Sequence, residues 1–110
     1  MFKEIESRNE YNEIVKAERL TVVDFFATWC GPCRMLAPEL HELESEHPEI
    51  NIVKVDVDKL PELAGIYYIN AVPTLIFFKN GKVINSIRTL VQASSCIKEN
   101  KIVKINIDSI

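Results

Sequence analysis

Thr21-Val22-Val23-Asp24-Phe25-Phe26-Ala27 is a short, almost continuous run of apolar, β-branched and aromatic residues. A run of this kind marks a strand buried on both faces, which belongs to a sheet covered by helices on either side. Asn51-Ile52-Val53-Lys54-Val55-Asp56-Val57 reads as a second such strand. Between them, Leu36, Leu40 and Leu43 fall at i, i+4 and i+7, so the spacing predicts a helix that opens at about Pro32, where proline is well tolerated at a first helical position. Pro38 lies inside that helix with no N–H for the carbonyl four residues back, which predicts a kink rather than a break.

The same change of period continues along the chain. Ser7 and Glu10 stand in capping-box spacing ahead of Tyr11, Ile14 and Val15 at helical intervals, predicting a first helix. Leu60, Leu63 and Tyr67 suggest a short helix that Gly65 weakens. Thr74–Lys79 and Lys82–Ile87 flank Asn80-Gly81, a favoured type I′ hairpin pair. Parallel strands finished by an antiparallel edge are therefore expected, in an α/β fold. After Leu90 the signal is double: Cys96, Asn100, Val103, Ile107 and Ile110 form a helical stripe, whereas Val103, Ile105 and Ile107 alternate like a strand. A helix is the expectation. The 110 residues, 47% of them hydrophobic, suffice for one domain over residues 1–110 with a single core.

Thirteen basic and sixteen acidic residues give a formal charge of -3, and the basic ones are scattered rather than gathered into a stripe that follows phosphates. Nucleic acid is not an expected partner. Met1-Phe2-Lys3-Glu4-Ile5-Glu6-Ser7 is too polar for a signal peptide, and no apolar run approaches the roughly 20 residues of a membrane span. The expectation is a soluble, cytoplasmic protein that is monomeric and does not engage membranes.

Two of the three cysteines form the string Trp29-Cys30-Gly31-Pro32-Cys33, at the junction between the first strand and its helix. Two thiols at this spacing can close a disulfide and reopen it, and in a reducing compartment such thiols serve transient, catalytic disulfides. A thiol attacks only as thiolate, and with an unperturbed pKa near ~8.5 few are ionised at neutral pH. A helix opening lowers that value, because its unpaired N–H groups and dipole favour an anion. Cys30 stands just ahead of the opening and Cys33 one turn in, so Cys30 is the better nucleophile and Cys33 the resolving thiol, with Gly31 and Pro32 allowing the tight closure. The competing reading is half of a zinc site, which needs two further ligands at comparable spacing. Cys96 stands alone, and His41 and His47 lie along the helix away from any second pair, so no metal is expected. His41 reads as a surface residue, His47 as a residue near a helix C-terminus, and Cys96 as a packing residue.

Asp24 is an acid inside an apolar strand, where an unpaired charge is costly and its pKa should rise. Strand alternation puts it on the face of Val22 and Phe26, from which it can exchange a proton with Cys33. Lys54, equally out of place in its strand, is its expected partner if the two strands are neighbours. The alternative is a strand-end salt bridge with no catalytic part.

Val23-Asp24-Phe25-Phe26-Ala27-Thr28-Trp29-Cys30-Gly31-Pro32-Cys33-Arg34-Met35-Leu36-Ala37-Pro38, followed by Val53-Lys54-Val55-Asp56 and Val72-Pro73-Thr74-Leu75, resembles the thioredoxin family, continuously from about Thr21 to Val83. The resemblance implies the thioredoxin fold, a central mixed five-stranded sheet flanked by four helices. It implies an exposed Cys30, a recessed Cys33 and a cis Val72-Pro73 peptide packed against the disulfide, with Trp29 and Pro73 framing the docking surface for clients. It also implies protein disulfide reductase activity with no bound cofactor. Electrons would come from a thioredoxin reductase, which itself carries the flavin (FAD) and takes electrons from NADPH. Implied clients are ribonucleotide reductase, peroxiredoxin and methionine sulfoxide reductase.

Two positions depart from the family pattern beside that surface. Thr89 aligns with a glycine that the family usually places opposite the cis-proline, where a branched side chain should narrow the client groove. Tyr68 replaces a usual glycine ahead of Ile69-Asn70-Ala71-Val72, and Glu99 and Asn100 fall where the last helix usually buries apolar residues. Among functions, a disulfide isomerase or oxidase is disfavoured by Gly31-Pro32, since relatives of those types usually carry histidine there. A binding module in which redox turnover is incidental is the alternative from another class.

Overall fold

The computed structural model describes residues 2–108. Its elements run β1 (Lys3–Glu4), α1 (Arg8–Val15), β2 (Thr21–Phe26), α2 (Gly31–Glu46), β3 (Asn51–Asp56), α3 (Pro61–Ile66), β4 (Thr74–Lys79), β5 (Lys82–Ile87), α4 (Leu90–Lys98) and α5 (Lys101–Asp108). The strands lie in the order β1-β3-β2-β4-β5. β1 and β2 pair parallel to β3, whereas β4 runs antiparallel to β2 and to β5. This is the thioredoxin fold with its mixed sheet of five strands.

The three central strands, β2, β3 and β4, divide their side chains between two cores. Val22, Ile52, Leu75 and Phe77 pack with Leu36, Leu40 and Leu43 of α2 and with Ala93, Cys96 and Ile102 from α4 and α5. Val23, Phe25, Val53, Val55, Ile76 and Phe78 pack on the opposite face with Tyr11 and Val15 of α1 and Leu63 of α3. Every residue of β2 is buried, which is why its sequence shows no polar alternation apart from Asp24.

Local chemistry sets the ends of the elements. Ser7 caps α1, its hydroxyl accepting from the Glu10 N–H at 3.1 Å, while Glu10 Oε1 accepts from the Glu6 N–H at 2.8 Å. α2 continues through Pro38. In the β4–β5 turn Asn80 and Gly81 both have positive φ, 54° and 79°, as the type I′ turn requires. His41 stacks on Phe2 at the surface, and His47 forms the C-cap of α2.

The C-terminal part corrects the expectation of four helices. The single helical stripe is broken after α4, where Asn100 takes φ 57°, a left-handed conformation that asparagine tolerates and that ends a helix. A fifth helix starts at Lys101 and buries Ile102 in the α2-side core. The mixed helix and strand pattern of this segment reflects two short helices in different phase. Ile110, the last member of the expected stripe, lies outside the described residues.

Candidate active site

The strand-to-helix junction after β2 builds the cysteine site. Cys30 is the N-cap of α2, with extended backbone (φ -88°, ψ 110°), and its Sγ accepts from the Cys33 N–H at 3.1 Å. Sulfur thus occupies the place that a serine or aspartate oxygen fills at other helix starts. Gly31 and Pro32 form the first residues of α2, and Cys33 follows them one turn in. Cys30 and Cys33 are joined as a disulfide, with Cα atoms 5.3 Å apart.

The expectation of an exposed Cys30 is corrected, whereas Cys33 is recessed as expected. Cys30 is 3% exposed and Cys33 7%. In the closed form the Cys30 sulfur bends over the first turn of α2, and Phe26, Ala27, Val57 and Val72 pack around the pair. Cys30 Sγ also lies 3.7 Å from the Val72 carbonyl oxygen, and the Val72-Pro73 peptide is cis.

Asp24 is 2% exposed on the α2 face of β2, in register with Lys54 on β3 and Leu75 on β4. Burial pushes its carboxyl up to about 7, an effect that the nearby Lys54 charge partly opposes. Its Oδ1 has no hydrogen-bond partner among the described residues. The Lys54 ammonium lies over the Phe26 ring, 4.0 Å from its centroid. Lys54 and Cys33 line one open cleft of about 220 Å³ together with Phe26 and Arg34. Arg34 Nη1 donates to the Thr28 carbonyl at 2.9 Å, bracing the start of α2 against the loop before it.

Trp29 is 69% exposed, and its Nε1–H donates to Asp58 Oδ2 at 2.9 Å. Asp58 escaped sequence reasoning because it lies 29 residues away and carries no pattern of its own. Thr89 stands apart from the cysteines in its contacts: it is the N-cap of α4, with its hydroxyl accepting from the Gln92 N–H at 3.1 Å. Its backbone is extended (φ -136°), so the position does not need glycine. Tyr68 is different. It has φ 53° and closes α3 in a Schellman motif, with Ile69 N–H bonded to Ala64 O and Tyr68 N–H to Gly65 O. Glycine usually fills that left-handed position.

Cys96, the remaining cysteine, is buried in the α2-side core, and burial pushes its thiol up. No three His, Cys, Asp or Glu side chains converge as metal ligands among the described residues, and no described helix is long and apolar enough to cross a membrane.

A dithiol closed across the first turn of a helix, on a mixed sheet and beside a cis-proline, defines a thiol–disulfide reductase. Comparison with known proteins agrees: the thioredoxin family model matches residues 2–104. Thioredoxin-1 of Saccharomyces cerevisiae is 40% identical over 82 residues, covering 74% of this chain and 80% of that protein. Thioredoxin-2 of Pyricularia oryzae is 42% identical over 78 residues, and the match spans 71% of this chain but only 46% of that longer relative. Fasciola hepatica thioredoxin superposes with a TM-score of 0.79 at 35% identity, covering 89% of this chain and 98% of that structure. The chain belongs to the thioredoxin family.

Proposed function

We propose that the chain reduces protein disulfides through an ordered exchange in which Cys30 attacks and Cys33 resolves. The observation that carries this reading is the helix-capping position of the Cys30 sulfur, which receives the Cys33 N–H at 3.1 Å. A thiolate at that atom accepts the same bond and faces the positive end of α2, whereas Cys33 lies inside the first turn.

In the reduced protein, the Cys30 thiolate attacks one sulfur of a client disulfide. A Cys30–client bond forms, and the other client sulfur leaves as a thiolate that takes up a proton. Cys33 then gives up its proton and attacks the Cys30 sulfur. The Cys30–Cys33 bond closes, and the second client sulfur is released as a thiolate. Asp24 is the acceptor of the Cys33 proton in this reading, since a carboxyl at about 7 both takes and returns a proton near neutral pH. Lys54 tunes that carboxyl by its charge and shares the cleft with Cys33. Trp29, Gly31, Pro32, Val72 and Pro73 bear the client, with backbone groups beside the cis peptide pairing with an extended strand. Thr89 borders this surface.

Two electrons per cycle come from a thioredoxin reductase that takes them from NADPH through its own FAD; this chain binds neither. Its clients are proteins with reducible disulfides, of the kinds found in ribonucleotide reductase, peroxiredoxin and methionine sulfoxide reductase. It works as one domain and as a monomer in the cytoplasm, where the resting state of such a pair is the dithiol. The test is reduction of insulin by dithiothreitol in the presence of this protein: Cys30→Ser is expected to abolish the catalysed rate, and full turnover by that variant would refute the mechanism.

A further inference from the structure

We infer that Arg88 is a positioning residue for the segment leading to Pro73, setting the affinity of the site for protein disulfides without entering the redox chemistry. The inference rests on the proposed function above. Its basis is a pair of hydrogen bonds from one guanidinium: Nη2 donates to the Tyr67 carbonyl at 3.1 Å and Nη1 to the Tyr68 carbonyl at 3.3 Å. A planar guanidinium reaches two neighbouring acceptors from two nitrogens held in a fixed fork, whereas an ammonium's donors all fan out from one nitrogen on a flexible stem.

The backbone that it holds is one that a tyrosine adopts at a steric cost. Tyr68 sits at φ 53°, and its side chain is 85% exposed, so packing of the ring does not keep the residue there. The Schellman bonds at the end of α3 close the turn from within the segment, and Arg88 closes it from a distant part of the chain, the junction between β5 and α4. From Tyr68 the chain runs to Ala71, whose carbonyl accepts from the Thr74 hydroxyl at 2.8 Å, and to Val72, whose carbonyl oxygen lies 3.7 Å from Cys30 Sγ. The segment that ends against the nucleophile is thus braced at both ends, by Thr74 within β4 and by Arg88 at its start. Displacing the start moves the backbone groups offered to an extended client. It leaves the cysteines, which are held by α2 and β2, where they are.

Three variants test this on two substrates, insulin as a protein disulfide and a small aromatic disulfide with no backbone to dock. Arg88→Ala is expected to raise KM for insulin about three- to tenfold, the range of one net hydrogen bond, with kcat and the rate toward the small disulfide unchanged. Arg88→Lys should show the same loss. In the Tyr68→Gly, Arg88→Ala double variant, KM should return to within about twofold of wild type, since glycine takes the left-handed conformation unaided. An insulin KM unchanged in Arg88→Ala overturns the inference. So does an equal loss on both substrates, which places Arg88 in the redox step or the global fold, and so does a double variant that stays impaired. Wild-type protein that fails to reduce insulin would overturn the proposed function itself, an outcome distinct from normal wild-type turnover with an indifferent Arg88.

Discussion

Asp24→Asn removes a charge that the interior holds at a cost, and the structure gives that cost a size. The Asp24 carboxyl rises from an ordinary 3.8 to about 7, chiefly through burial. A difference of roughly 3 units at about 1.4 kcal/mol each amounts to roughly 4 kcal/mol of lost stability once the group is ionised. The native state holds the proton more tightly than the unfolded chain does. Stability therefore falls as pH rises from about 4 to about 7 and levels off above. Asparagine keeps the shape and does not titrate. It still buries an amide where one carboxylate oxygen has no partner among the described residues, which offsets about 1–2 kcal/mol. The net expectation is an Asp24→Asn protein more stable than wild type by about 2–3 kcal/mol near pH 8, with a flat pH profile across the window. Glu10 and Glu99, whose carboxyls hydrogen bonds hold below the ordinary range, act in the opposite sense and at lower pH. Urea unfolding of the oxidised protein at several values between about pH 4.5 and 8 measures this, with the disulfide closed so that Cys30 and Cys33 do not titrate. Wild-type stability that is constant or rises over that range, or a variant less stable near pH 8, would refute the reasoning.

Tyr68→Gly should stabilise the protein by about 0.5–1 kcal/mol in urea unfolding, the relief of a left-handed tyrosine less the larger chain entropy of glycine when unfolded; destabilisation would count against strain at this position. Thr89→Ala removes the α4 cap and should cost about 1 kcal/mol, whereas Thr89→Gly should cost only a few tenths. With stability nearly preserved, kcat/KM of Thr89→Gly with a reductase or with insulin then reads the width of the client groove, and unchanged values with both would remove that role from Thr89. Cys96 should resist alkylation in the folded oxidised protein and react fully on unfolding, because it is buried in the α2-side core. Mass spectrometry after iodoacetamide treatment reads the difference, and rapid native labelling would contradict the packing.

What the sequence made legible follows the strength of its periodicities. β2 and β3 stood out because both of their faces are buried, and α2 because Leu36, Leu40 and Leu43 keep one stripe on the sheet. β1 has only two residues, and its place comes from pairing with Val53 and Lys54, for which nothing local codes. The Cys30–Cys33 pair and the Asp24–Lys54 register were open to reading because the chemistry is local or strands of like pattern align. The partners of Trp29 and Tyr68, namely Asp58 and Arg88, were not, since long-range hydrogen bonds between surface residues impose no period on the chain. Cys30 lies deeper than the resemblance implied, with its sulfur against the Cys33 N–H on one side and the Val72 carbonyl on the other.

The crossover from β2 through α2 to β3 places Asp24, Cys30, Cys33 and Lys54 in one unbroken stretch of chain. Tyr68, Val72, Pro73, Arg88 and Thr89 all come later, from the loop before β4 and the junction after β5. In the proposed mechanism the redox pair and its proton acceptor lie in the first stretch, whereas the client surface draws on both, with Trp29, Gly31 and Pro32 from the first and Val72 and Pro73 from the second. On that reading, substitutions in the later stretch alter part of the client surface without touching Asp24, Cys30, Cys33 or Lys54. Tyr68 and Thr89 fall in that later stretch, so exchanging residues 67–89 with those of a relative measures how much of partner choice it carries.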